Sequence, residues 1–167
     1  MSLSKDEFLQ HLQANRQVLL QLFDDVPETA LTTPHTIGAW RVIDVLAATT
    51  AWDGETLRRL DFATGERSQP PHDVTDEGYW QVWLEEQVRV KRVMGPRGIK
   101  VDMAGTWIRL LARIEALSPH EYARWLDSDP QATPNRDQPY IAQLRAWRQQ
   151  WERSLPWWRR MYRLLFR

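Results

Sequence analysis

Near the end of the chain Tyr140, Leu144, Trp147, Trp151 and Leu155 stand four, three, four and four residues apart, a spacing that only a helix turns into one surface. At 3.6 residues per turn the five side chains fall on a narrow stripe, whereas a strand would divide them between two faces. The same period recurs upstream. Phe8, Leu12, Leu19, Leu22, Phe23 and Val26 line a helix over about residues 5 to 24, opened by the capping-box pair Ser4 and Glu7. Ile43, Leu46, Thr50, Leu57 and Leu60 line a second, from Arg41 to about Thr64, with Asp44 in its first turn and Gly65 after its end. Pro27 and Pro34 bracket the connection between the two.

Trp80, Leu84, Gln87, Val88 and Lys91 keep helical spacing up to a break at Gly95-Pro96-Arg97-Gly98, after a loop from Glu66 to Asp73. Met103, Trp107, Leu110, Leu111, Ile114 and Leu117 then form the inward seam of a third main helix, from about Val101 to Leu117. Ser118, Pro119 and Glu121 open a short helix through Trp125, and a fourth main helix starts near Gln138 or Pro139. Trp157 to Arg167 reads as an amphipathic C-terminal helix, and no segment alternates as a strand would. The expectation is one all-α domain over residues 1–167, four main helices with short accessory ones.

Composition narrows the chemistry. Cys 0 removes disulfides, thiolate ligands and a cysteine nucleophile, in keeping with a reducing compartment. MSLSKDEFLQ lacks the basic-then-apolar pattern of a secretion signal, and no apolar run approaches a bilayer span, so a soluble cytoplasmic protein is expected. Net charge is +0, but residues 136 to 167 hold eight Arg against Asp137 and Glu152, which polarises the molecule. No zinc finger, aromatic strand motif, phosphate-binding glycine loop or Gly-x-Ser-x-Gly elbow is present, so neither a nucleic-acid partner nor a nucleotide cofactor is expected.

The segment IGAWRVIDVLAATTAW, from Ile37 to Trp52, resembles the second-helix signature of the DinB-like (YfiT-like, mycothiol-dependent maleylpyruvate isomerase) superfamily. Gly78 to Arg92 followed by Asp102 to Leu117 is similar to that family's middle, and Tyr140 to Arg148 to its last helix. The resemblance implies an up-down-down-up four-helix bundle and, in most members, a divalent metal held by three histidines. The matching positions here are Ala48, Arg136 and Tyr140, none of which supplies an imidazole. His11, His35, His72 and His120 stand at no metal-ligand spacing, so no metal and no cofactor is expected. Within the family the chain therefore resembles the metal-free branch of the ClbS-like colibactin self-resistance proteins, which implies, for a catalytic member, a metal-independent hydrolase or thiol transferase.

The chain has Trp 10, a high number, and indole rings bring large areas to bury with a polar N–H to satisfy, so a core or pocket rich in indole is expected. Trp40, Trp52, Trp80, Trp83 and Trp107 could converge with Tyr140 into an aromatic-walled cleft for a flat or cationic ligand, or serve as core. Ala48, Trp52, Arg136, Tyr140, Trp40, Asp44 and Trp80 are the expected ligand-lining residues, with Arg136 pairing an anionic group if it points inward. Asp44, Asp53 and Glu55 are candidates for a general base, or for dipole and surface partners. A second class of function, a homodimer or partner-binding module, would use Trp157, Trp158, Met161, Leu164 and Leu165 on the apolar face of the last helix. Membrane association is not expected of it.

Overall fold

A computed structural model describes residues 3–67 and 77–156. Among them the fold is all-helical: α1 (Lys5–Gln21), α2 (Glu28–Leu31), α3 (Asp44–Ala63), α4 (Glu77–Arg92), α5 (Gly95–Glu115), α6 (Pro119–Ser128) and α7 (Gln138–Ser154). No described helix is long and apolar enough to cross a membrane. The loop expected at Glu66 to Asp73 is described only to residue 67, and the amphipathic segment Trp157 to Arg167 lies outside the described residues.

Local chemistry sets the boundaries. Ser4 and Glu7 form the capping box at α1, and Ser118 and Glu121 repeat it at α6, each side chain satisfying an N–H that the first turn leaves without a partner. At the end of α3 the Glu66 N–H donates to the Asp61 carbonyl (2.8 Å) and the Gly65 N–H to that of Phe62 (3.0 Å), the double closure that a left-handed residue permits, here Gly65 at φ +81°. The structure corrects two details. Glu28–Leu31 forms one helical turn inside the connection expected between Pro27 and Pro34. Gly95-Pro96-Arg97-Gly98 is the first turn of α5 rather than a break before it. Proline there forgoes only an N–H with no helical partner, Gly95 turns the chain at φ +67°, and any Cβ on Gly98 would come within 2.8 Å of the Met94 Cβ.

α3 lies at the centre, packed against α4, α5 and α6, while α1 packs against α5 and α7. The apolar core falls into two clusters. One gathers Leu19, Ile43, Leu46, Ala48, Ile99, Ile141 and Leu144; the other gathers Phe8, Leu12, Leu60, Leu110, Ile114 and Trp125. Each fully buried leucine contributes about 1.5–3 kcal/mol through the apolar area it removes from water. The clusters are separated where α1 carries Arg16 between Leu12 and Leu19, and α3 carries Asp53 between Ala48 and Leu60.

Candidate functional site: an aromatic cleft above a buried ionic layer

The layer between the clusters is a closed set of charges. Arg16 donates to Asp53 through Nη1 (2.9 Å) and Nη2 (3.0 Å), and to Asp137 through Nε (2.7 Å). Arg136 adds a bond from Nη2 to Asp53 (2.6 Å) and another from Nη1 to the Thr56 hydroxyl. The indole of Trp107 covers Arg16, 4.1 Å from ring centroid to guanidinium carbon. Arg16, Asp53 and Asp137 are all buried to about the 1% level of exposure. Burial by itself would make the Arg16 proton easier to lose, but the two carboxylates outweigh it and hold the guanidinium more firmly charged than usual.

Above this layer, four segments bring aromatic rings together. Ile37 and Trp40 exchange backbone hydrogen bonds of 3.0 Å across a tight turn, with Gly38 left-handed at φ +60°, and the turn presents Trp40 ahead of α3. Asp44 braces that turn: it accepts from the Arg41 N–H (2.8 Å) and from the guanidinium groups of Arg41 and, across on α4, Arg92. Burial pushes the Asp44 carboxyl up, but the hydrogen bonds from Arg41 and Arg92 win and leave it below its ordinary range. Trp52, on α3, donates its indole N–H to the Tyr140 hydroxyl on α7 (3.1 Å) and packs on Trp80 and Trp83, ring centroids 5.2 Å away in each case. Trp40 and Tyr140 face each other, near-parallel at 6.4 Å. Burial raises the Tyr140 phenol above its usual value, against the lowering effect of Trp52 and Arg136, so it stays neutral at physiological pH.

Trp40, Trp52, Trp80, Leu84 and Tyr140 wall a cleft of about 440 Å³, with Gln81, Glu85 and Gln143 supplying its polar groups. That volume suits a small organic molecule. A second cleft, about 660 Å³, lies between α3, α4 and α5. It is larger but polar, and its charged lining is largely self-paired: Lys91 with Asp102 at 2.5 Å, Arg58 with Glu55, Arg67 with Asp61 at 3.6 Å. The aromatic cleft is the less polar of the two, lined by rings and Leu84 with a single carboxylate among the described residues, Glu85.

Of the residues singled out from the sequence, Trp40, Trp52, Trp80 and Tyr140 meet at this cleft. Ala48 is wholly buried in the core, and Asp44 is the brace just described. Arg136 points inward, but to Asp53 and Thr56 in the ionic layer. Trp83 backs Trp52 and faces the larger cleft, and Trp107 lies over Arg16. Each candidate base is held by two arginines: Asp44 by Arg41 and Arg92, Asp53 by Arg16 and Arg136, Glu55 by Arg58 and Arg59. His11, His35 and His120 are exposed, and His72 lies outside the described residues. Arg16, Asp137, Leu84, Glu85 and Gln143 were not anticipated; Arg16 left a trace, as the charged member of the Leu12–Leu19 stripe.

Ala48, Arg136 and Tyr140, the positions expected from the resemblance, do not suit a metal ion. Ala48 has no donor, the Arg136 guanidinium is a cation already bound to Asp53, and the Tyr140 oxygen accepts from Trp52. Among the described residues no group of three or more His, Cys, Asp or Glu is arranged to hold a metal ion. Comparison of the chain with family models, with curated proteins and with solved structures gave no match.

Proposed function

We propose that this chain is a small-molecule-binding protein of DinB-like helical-bundle type, working without the histidine metal site, whose ligand carries an aromatic or electrophilic group and sits in the cleft of Trp40, Trp52, Trp80 and Tyr140. The convergence of four aromatic rings from separate segments around about 440 Å³ carries this reading. The carboxylates expected as general bases do not serve here, because Asp44, Asp53 and Glu55 are each committed to two arginines and none is free to take a proton.

The test uses 2-naphthol, followed by quenching of indole fluorescence. A buried indole removes enough apolar area from water that Trp52→Ala should weaken binding about 10- to 100-fold, or ~1.5–3 kcal/mol. Trp40→Ala, which leaves the Trp52 to Tyr140 hydrogen bond in place, should weaken it as well. Affinity unchanged in both variants would refute the site.

A further inference from the structure

We infer that the aromatic cleft selects organic cations, with Glu85 as the counter-charge; this rests on the ligand site proposed above. Of the described residues that line the cleft, Glu85 alone carries charge at neutral pH, since Tyr140 is held neutral and the rest are indoles, aliphatic side chains and amides. The carboxylates inside the fold are all neutralised: Asp44, Asp53, Glu55, Asp129 and Asp137 each pair with at least one arginine. Glu85 is exposed at the cleft, makes no ion pair among the described residues, and accepts one long bond of 3.5 Å from the Gln81 amide. Its neighbour Glu86, facing elsewhere, is paired with Arg89 at 2.6 Å.

The rings act in the same direction. Indole and phenol faces are the negative part of an aromatic quadrupole, and they attract a cation within about 6 Å of the ring centre. The Trp52 N–H, the positive edge of that indole, is already taken up by the hydrogen bond with Tyr140. Beneath the cleft Arg16 and Arg136 are matched by Asp53 and Asp137, and Arg59, whose guanidinium lies over the Trp80 ring at 5.3 Å, is matched by Glu55 and Asp129. A guest with an ammonium or quaternary ammonium head and a flat or bulky apolar body meets a carboxylate at the mouth and ring faces along the walls.

Phenyltrimethylammonium and tert-butylbenzene have the same shape and differ in charge, so they isolate the effect. Both would be titrated against the full chain by indole fluorescence, with Glu85→Gln alongside; Glu85 is exposed, so the variant keeps the fold. The expected result is at least tenfold tighter binding of the cation by the natural chain, falling to within about threefold of the neutral compound in Glu85→Gln, with the preference weakened by added salt. Equal binding of the two by the natural chain would overturn cation selectivity while leaving the ligand site standing. A preference that survives Glu85→Gln intact would remove Glu85 from the recognition. Binding of neither compound would overturn both the selectivity and the site.

Discussion

Replacing Asp53 with alanine strips the ionic layer of the carboxylate that joins its two arginines. Asp53 receives three bonds, at 2.9, 3.0 and 2.6 Å, and its side chain has no exposure to solvent. Without it, among the described residues, Arg136 has no carboxylate left and Arg16 keeps Asp137 alone. Removing one partner of a buried pair costs about 3–5 kcal/mol, because the remaining charge has lost its water and gained nothing in return. For a chain of this size 1 kcal/mol moves Tm by roughly 2–4 °C, so Asp53→Ala should lower it by about 6–20 °C. Removing Arg136 along with it avoids the orphan, because Arg16 and Asp137 remain a matched pair, so Arg136→Met combined with Asp53→Leu should cost less than Asp53→Ala alone. Urea unfolding of the natural chain, the single variant and the double variant measures this directly. A loss below about 1 kcal/mol for Asp53→Ala would refute the buried layer as a structural element, as would a double variant less stable than the single one.

Two pH-dependent predictions follow from the brace and the cleft. Asp44 titrates below its ordinary range when folded, so its stabilising contribution is full above the unfolded value of about 4 and is lost as pH falls through the lowered folded value. The stability gap between the natural chain and Asp44→Asn, read from urea midpoints, should therefore be constant near neutrality and shrink in acid; a gap that persists at the lowest pH would contradict the brace. Tyr140 titrates above its ordinary value when folded, so its neutral form favours the fold up to about pH 10 and that contribution is lost as pH rises through the folded value. In a phenolate absorbance titration, the step that Tyr140→Phe removes should lie above 10; a step in the ordinary range would place the phenol in water.

The sequence by itself determined the helices. Periodicity of 3.6, the Ser4/Glu7 and Ser118/Glu121 boxes and Gly65 act within one or two turns, so their physics is complete in a short stretch of chain. It also brought forward Trp40, Trp52, Trp80 and Tyr140 as possible cleft residues, the indoles through their high number and Tyr140 through the family resemblance, with core packing as the alternative. Tertiary structure decided the rest. Nothing local says that Arg16 meets Asp53 37 positions on and Asp137 121 positions on, and a charge inside an apolar stripe becomes tolerable only once those carboxylates arrive. The same holds for Arg136: the sequence allowed it to face a ligand, and packing gave it to Asp53. Glu85 and Glu86 are adjacent acids on one helix; the pairing of Glu86 with Arg89, three residues on, is local, whereas only the packing of distant segments puts Glu85 beside the rings of an aromatic cleft. Secondary structure is a short-range free energy that the chain spells out residue by residue, whereas a site is a meeting of distant segments whose partners compete for the same charges.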